Sequence, residues 1–418
     1  MPDGDVDSQY GIRFFSTDPR LPKIPSTEVS VPVNLDSDGL NEILAVQLDE
    51  EEEFQNNVSF LINDKLLSTS LFEFVTSNEL STEGVIEVEC FLAESAPKPE
   101  KSINVEDWVA DVKVNDKWII AATYDGELSI FSHKGNKLHS TKITDDSLRC
   151  LQCFTHNGEE YVITGGSGQT LTLHTIEKKD LTATIAFRGH ERSIEAVTVN
   201  KNGDKIISGG FDKCLKIWGM EASETDYVKH NEENGVKAKK KKKELITRVP
   251  ITTIEAHKDA VSAAQWNPIN QGQLVSASWD QSLCLWDVET TEQVNRLTSN
   301  KAFQALSVQE SNGLIVTASM DSTIRLWDFR SQEGGMVKKV FRGHFNVVSD
   351  VSWSQLNPNL FVSAGFDETV KLWDIRSTDA SLFDISGHKG HVLSVDWSND
   401  ELIASGGKDS SIKTYRRS

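Results

Sequence analysis

One seven-residue signature recurs along this chain: an Asp opens a tight turn, and in most copies an aromatic residue follows six positions later. The turn positions are 125, 168, 212, 280, 321, 367 and 409, so successive copies lie 41 to 46 residues apart, except for one interval of 68 residues. That period is typical of a four-stranded propeller blade, and seven copies predict seven blades. The complete copies are Asp212–Trp218, Asp280–Trp286, Asp321–Trp327 and Asp367–Trp373, and the degenerate copies are Asp125–Phe131, Gly168–His174 and Asp409–Tyr415.

Most repeats also place a His 21 to 23 residues before the turn residue and a Ser or Thr four residues before it. The set resembles the His–Ser/Thr–Asp–Trp tetrad of WD-repeat proteins, a hydrogen-bonded chain that ties the strands of one blade together. A catalytic Ser–His–Asp triad occurs once per active site, whereas this set recurs at one spacing, so we interpret it as framework. The predicted tetrads are His190, Ser208, Asp212, Trp218; His257, Ser276, Asp280, Trp286; and His344, Ser363, Asp367, Trp373.

The charge of the chain is strongly acidic, with a net value of −20. Its whole surface is therefore not expected to bind nucleic acid non-specifically. The exception is a lysine cluster in the long interval, within a polar segment at about 221–248 that lacks apolar periodicity and predicts a disordered loop. The cluster suits a solvated charge run, a nuclear import signal or an RNA-contacting arm, and its members are Lys237, Lys239, Lys240, Lys241, Lys242 and Lys243.

Composition predicts an intracellular protein without chemistry of its own. No apolar stretch is long enough to span a membrane, and the first residues lack the pattern of a secretory signal. Five scattered Cys suit reduced thiols in the cytosol or nucleus. Neither a GxSxG nor an HExxH motif is present, and no metal-ligand cluster stands outside the repeats, so we predict no enzyme activity and no intrinsic metal or cofactor.

The first hundred residues predict a separate small α+β domain. Strand, strand, helix, strand, strand, helical turn and strand follow one another, which is the order of the ubiquitin-like fold. Because the last signature ends at Tyr415, we expect a segment at about 95–104 to supply the outermost strand of the last blade. The predicted organisation is a disordered tail at 1–9, a ubiquitin-like domain at 10–92, a linker and closing strand at 93–104, and a seven-bladed WD propeller at 105–418.

The N-terminal motifs form a narrow combination: IRFF, SFLIN followed by LL and TSL, LSTEGVIEVEC, and then EDWVADV before the repeats. This combination resembles the family of WD-repeat ribosome biogenesis factors that assemble with pescadillo and the block-of-proliferation protein on large-subunit precursors. Notchless-type factors share a similar N-terminal domain but generally carry an eighth repeat. A third class, substrate receptors of ubiquitin ligases, would place an adaptor-binding helix where this chain predicts the ubiquitin-like domain.

The resemblance implies a scaffold in pre-rRNA processing that acts in the nucleolus and nucleoplasm, with its propeller bound to the block-of-proliferation and pescadillo proteins. It also implies that the ubiquitin-like domain binds the metal-dependent adhesion-site domain of midasin, an AAA ATPase. There a loop Glu would complete the coordination of a divalent ion, Mg²⁺, that the partner holds. By motif that residue is Glu83, and the alternative is an ordinary solvated loop carboxylate.

Overall fold

The computed structural model describes residues 8–18, 21–48, 58–63, 65–82, 84–177, 180–221, 227–228, 245–330, 337–377 and 380–417. These residues form two compact units that divide between Ala96 and Pro97. Among them, no helix is long and apolar enough to cross a membrane. Strands dominate both units, as the sequence predicts.

The N-terminal unit is a five-stranded mixed sheet with two helices. Its strand order is β2-β1-β5-β3-β4, and the central pair, β1 and β5, runs parallel with Ile12 opposite Ile86. Phe14 and Phe60 are fully buried and their ring centroids lie 5.8 Å apart. Asp36 caps α1 by accepting a hydrogen bond from the backbone N–H of Gly39. The elements are β1 Gln9–Phe15, β2 Glu28–Pro32, α1 Ser37–Gln47, β3 Val58–Ile62, β4 Lys65–Leu66, α2 Leu71–Ser77 and β5 Ile86–Leu92.

The second unit contains seven sheets, each built around an antiparallel four-stranded meander. In every sheet except the second, one strand is almost completely buried, because residues on both of its faces pack against neighbouring sheets. The strands of the first four sheets, with the closing strand β6, are β6 Lys98–Asn104, β7 Val109–Val114, β8 Ile119–Thr123, β9 Glu127–Phe131, β10 Lys137–Lys142, β11 Leu148–His156, β12 Glu159–Gly166, β13 Thr170–Glu177, β14 Asp180–Arg188, β15 Ile194–Val199, β16 Lys205–Gly210, β17 Cys214–Gly219, β18 Tyr227–Val228, β19 Ile246–Arg248, β20 Thr252–Glu255, β21 Val261–Trp266, β22 Gln273–Ser278, β23 Ser282–Asp287 and β24 Gln293–Thr298.

The last three sheets continue the pattern. Trp327, Trp373 and Tyr415 end or nearly end their third strands and are buried between sheets. The remaining strands are β25 Phe303–Val308, β26 Ile315–Ser319, β27 Thr323–Trp327, β28 Lys339–Arg342, β29 Val348–Trp353, β30 Leu360–Gly365, β31 Val370–Asp374, β32 Phe383–Ile385, β33 Val392–Asp396, β34 Leu402–Gly407 and β35 Ser411–Arg416.

The first strands of the sheets contact one another in cyclic order, and β33 of the last sheet contacts β7 of the first. They surround a central channel of about 850 Å³. Side chains on these strands accept hydrogen bonds from backbone N–H groups of the next sheet, which satisfies edge donors that would otherwise lack a partner. Examples are Asp111 with Leu151 (2.8 Å), Gln265 with Val308 (2.9 Å), Asp350 with Val395 (2.9 Å) and Asp396 with Val114 (2.9 Å).

The fourth strand of the last sheet comes from the segment before the first sheet. β6 pairs antiparallel with β35, with Ile103 opposite Ile412, and the Ile103 side chain is buried in the core of the first and last sheets. The strand begins at Lys98, a few residues later than the predicted segment. At the other end of the small unit, β1 already includes Gln9, which the predicted tail had contained.

The prediction of a disordered loop at 221–248 is wrong at its C-terminal end. Ile246–Arg248 forms β19, which runs parallel to β14 and, with β18, extends the second sheet to six strands. Arg248 is buried and donates hydrogen bonds to the carbonyls of Gly219 (3.1 Å) and Met220 (2.6 Å). A segment of three residues is too short to show the alternation of a strand in its sequence. Its backbone groups find their hydrogen-bond partners at the free edge of β14.

Candidate functional site

The predicted tetrad of the third sheet is a continuous hydrogen-bonded chain. The indole N–H of Trp218 donates to Ser208 Oγ (2.9 Å), and this hydroxyl lies 2.6 Å from His190 Nε2. His190 Nδ1 lies 2.7 Å from the carboxylate of Asp212. Because the indole can only donate and the carboxylate can only accept, the network places a proton on His190 Nδ1, which donates to Asp212.

The structure brings together the other two predicted tetrads in the same way. In the fourth sheet the three links measure 2.8, 2.7 and 3.3 Å, and in the sixth they measure 2.8, 2.7 and 2.8 Å. All the His side chains are fully buried, and the Asp side chains are at most 7% exposed. A group so enclosed is not accessible to a substrate. The members are His257, Ser276, Asp280 and Trp286 in the fourth sheet, and His344, Ser363, Asp367 and Trp373 in the sixth.

Hydrogen bonding keeps these carboxylates ionised. Burial alone would raise the pKa of Asp367, but hydrogen bonds from His344, the backbone N–H of Phe345 and Thr369 lower it well below its ordinary value. The pKa values of Asp212 and Asp280 are lowered for the same reason, because hydrogen bonds from the His and from backbone N–H groups outweigh burial.

In the fifth sheet, a different residue provides the hydrogen bonds to the turn Asp. In the fifth sheet no His is available, and the guanidinium of Arg325 pairs with Asp321 at 2.5 Å and donates to Ser319 at 2.8 Å. Trp327 still donates to Thr317 (2.8 Å). The spacing of the signature could not predict this replacement, since Arg325 lies at a strand position that other repeats fill with Lys, Ser, Thr or Cys.

Glu83 lies outside the residues that the structure describes, but the chain on both sides of it is described. Helix α2 ends at Ser77, and Leu80 then packs against the core of the N-terminal unit. Ser81, Thr82 and Gly84 are exposed, and β5 begins at Ile86. The described residues on both sides of Glu83 therefore form a solvent-facing connection between α2 and β5.

The lysine cluster, Lys237 and Lys239 to Lys243, also lies outside the described residues. Among those that are described, no group of three His, Cys, Asp or Glu side chains has the arrangement of a metal site. The five Cys side chains form no disulfide.

An aromatic rim around the channel was missed from sequence. It consists of Tyr124, Phe211, Trp279 and Phe366, which each precede a turn Asp and line the channel while remaining partly exposed. The rings of Phe211 and Trp279 meet edge to face at 5.0 Å, and the Trp279 indole N–H has no partner. The signal was present, because one position of the repeat carries a bulky residue in most copies.

A buried charge cluster lies deeper in the same channel. Lys113 Nζ lies 3.5 Å from Asp111 and 3.6 Å from Asp396. Burial raises the pKa of Asp350 to about 6, with Lys113 opposing the effect and Asp111 adding to it. Burial alone would lower the pKa of Lys113, but the surrounding carboxylates raise it. The cluster joins the first, sixth and seventh sheets, so we interpret it as part of the framework.

Comparisons with known proteins agree with this architecture. Residues 10–75 match the model of the NLE (NUC135) domain. The model of the WD domain, G-beta repeat, matches residues 181–219, 248–287, 292–328, 335–374 and 380–416. The first matched segment begins at residue 181 in β14, after the degenerate signatures of the first two sheets.

Similarity to characterised relatives extends over nearly the whole chain. The chain is 41% identical to a ribosome biogenesis protein WDR12 homolog of Brugia malayi, covering 94% of this chain and 93% of the relative. Relatives with the same description in Caenorhabditis briggsae and Aedes aegypti are 38% and 30% identical, over 97% and 94% of this chain and 95% and 92% of theirs. The predicted family and the prediction of a role in ribosome biogenesis are confirmed.

Proposed function

Because the chain belongs to the family of ribosome biogenesis proteins described as WDR12 homologues, we propose that it is a non-enzymatic assembly factor for the large ribosomal subunit. It acts on pre-ribosomal particles in the nucleolus and nucleoplasm. The burial of the three predicted tetrads supports a scaffold, because these recurring Ser–His–Asp sets are enclosed between sheets. The protein then acts through surfaces that bind other proteins.

The first such surface is the connection between α2 and β5. The observation that carries this proposal is the mixed five-stranded sheet of the N-terminal unit, which presents Ser81, Thr82 and Gly84 to solvent. Glu83, between them, donates a carboxylate oxygen to a Mg²⁺ ion held by the adhesion-site domain of midasin. A hard cation that retains open coordination positions accepts such a ligand, so one carboxylate can link two proteins. Pulling by the ATPase then removes the factor from the particle.

Binding of the full chain to the isolated adhesion-site domain tests this step. Glu83→Ala and Glu83→Asp should both abolish binding, because shortening by one methylene withdraws the oxygen further than a metal–oxygen bond of about 2.1 Å tolerates. Glu79→Ala is the matched control: Glu79 is an exposed carboxylate in the same connection and should be dispensable. EDTA should remove wild-type binding and Mg²⁺ should restore it. Metal-independent binding, or full binding by Glu83→Asp, would refute the assignment.

The second surface is the aromatic rim, which we assign to the block-of-proliferation and pescadillo proteins. Partly exposed aromatic side chains are enriched at the centres of protein interfaces, and the four members of the rim are of this kind. Trp279→Ala should weaken capture of the block-of-proliferation protein by about tenfold or more. Val294→Ala is the control, because Val294 is 53% exposed on an outer strand. Equal loss in both variants would argue against the rim.

A further inference from the structure

A cavity of about 400 Å³ lies at the seam between the first and second sheets. Two replacements at equivalent register positions produce it. Where the other six sheets carry an aromatic residue on the third strand, Trp in four of them, the second sheet carries His174. The outer strand of the sheet before it contributes Thr141, which pairs with Leu128. The equivalent residues of the six other sheets are all apolar, namely Phe187, Ile254, Leu297, Phe341, Ile385 and Ile103.

Intact seams show what this position normally holds. Trp218 packs its ring against Phe187 of the preceding sheet at 5.6 Å, and Trp373 packs against Phe341 at 5.9 Å. In each case the indole N–H donates to a buried Ser ten residues earlier in the chain. The first seam therefore lacks a planar bicyclic ring that carries an N–H donor.

The polar groups that such a ring would satisfy are still present. Thr164 occupies the position of the Ser, is 1% exposed, and its Oγ1 has no hydrogen-bond partner. His174 is 2% exposed, and its Nδ1 also has none. Both residues line the cavity. Burial lowers the pKa of His174 to about 4, and this effect outweighs the rise caused by hydrogen bonds with nearby backbone groups. The ring is therefore neutral at pH 7, and a neutral imidazole has one donor and one acceptor. Buried polar atoms without partners are uncommon in folded proteins and require an explanation, and here two of them face the same cavity.

The lining also includes two cations. Arg188 is exposed and forms no ion pair with any described residue. Lys142 is exposed and lies 3.6 Å from Asp145. Because these cations lie beside a cavity that fits a planar ring with an N–H donor, they favour a ligand whose ring carries an anionic group.

We propose that this cavity binds a purine nucleotide, free or within an RNA strand, with the base between the first two sheets and its phosphate at Arg188. The volume falls in the range of small-ligand sites. The exocyclic amino group of adenine supplies the N–H donor that Thr164 Oγ1 lacks, and the ring nitrogens accept from His174 or Thr164. A guanidinium pairs with phosphate through two parallel N–H donors. This inference goes beyond the proposed function and does not depend on it.

Titration calorimetry of the full chain with adenosine 5′-monophosphate tests the proposal. His174→Trp restores the residue found in intact sheets and should fill the cavity, keep or raise the melting temperature, and abolish binding. Arg188→Gln should weaken nucleotide binding by about tenfold, the loss of one charge-assisted hydrogen bond, and leave adenosine binding unchanged. Arg342→Gln is the matched control: Arg342 is exposed at the equivalent register position of the fifth sheet, next to a seam filled by Trp373.

A short single-stranded oligoadenylate separates the two sources of the nucleotide. Tighter binding of the oligonucleotide, still lost in His174→Trp, would assign RNA, and equal affinity would assign the free nucleotide. The proposal is overturned if neither probe binds at millimolar concentration, or if His174→Trp binds as wild type does. Displacement of the nucleotide by N-acetyl-tryptophanamide at lower concentration would also overturn it, by assigning the cavity to the indole of a partner protein. Because Arg188 is exposed, its variant stays informative even if His174→Trp fails to fold.

Discussion

Removing one hydroxyl from a tetrad should cost the propeller several kilocalories per mole. Ser363 is fully buried; its Oγ accepts from Trp373 Nε1 (2.8 Å) and lies 2.7 Å from His344 Nε2. Ser363→Ala leaves an indole N–H and an imidazole nitrogen buried without partners. At about 1–3 kcal/mol for each of the two unpaired groups, we expect a loss of about 2–6 kcal/mol in the free energy of unfolding.

The second sheet supplies an internal control at the equivalent position. Thr164 Oγ1 is buried and has no hydrogen-bond partner. Thr164→Val therefore keeps the shape of the side chain and leaves no other buried group without a partner. The variant should lie within about 0.5 kcal/mol of wild type or be more stable, because a desolvated hydroxyl is replaced by a methyl group. The same loss of an OH group therefore has opposite consequences in two sheets of one molecule.

Urea unfolding monitored by tryptophan fluorescence measures both variants. All ten Trp residues lie at position 108 or later, so the signal reports on the propeller and not on the N-terminal unit. A loss of stability should lower the urea concentration at the midpoint of unfolding, while the slope of the unfolding free energy against urea concentration stays constant. If Ser363→Ala lies within about 0.5 kcal/mol of wild type, or Thr164→Val costs as much, the reasoning from hydrogen-bond satisfaction is wrong.

Three further predictions follow from the same contacts. Deleting residues 1–104 should lower the melting temperature of the propeller by roughly 5 °C or more relative to deleting residues 1–92, because it removes β6 and the burial of Ile103; calorimetry checks this, and equal values would argue against closure by β6. The pKa of Asp367 is lowered in the folded state, so its contribution to stability is complete above the unfolded pKa and is lost as pH falls through about 4 and below. The stability gap between wild type and Asp367→Asn should accordingly shrink between pH 6 and pH 3, and a constant gap would contradict the assignment. Amide hydrogen exchange should be faster in the second sheet than in the sixth, since the second lacks the tetrad, and the reverse order would show that other packing compensates.

Periodicity made the repeats predictable, and pairing between distant residues limited the rest. Each turn Asp and its aromatic partner lie within seven residues, so the count of sheets could be inferred from local sequence alone. The cavity at the first seam could not, because it needs Thr141 and His174 to meet from different sheets. Arg325 was not recognised as a substitute for His, although its partner Asp321 lies only four residues away, because the same position holds Lys, Ser, Thr or Cys in the other repeats. The strand Ile246–Arg248 depends on the free edge of β14, which no short window of sequence reveals.

The closing strand determines how the molecule responds to mechanical force. Only residues 93–97 separate Leu92, the end of β5, from Lys98, the start of β6. Tension on the N-terminal unit therefore reaches the propeller at Lys98, where β6 pairs with Arg416 and where Arg416 also binds Glu100 at 3.0 Å. Strand pairs loaded at one end break bond by bond, so the last sheet would open while the other sheets carried little load. A motor that pulled on the N-terminal unit would therefore separate β6 from β35 and open the ring of sheets. Detachment from a particle would then be coupled to distortion of the propeller surface that binds the particle.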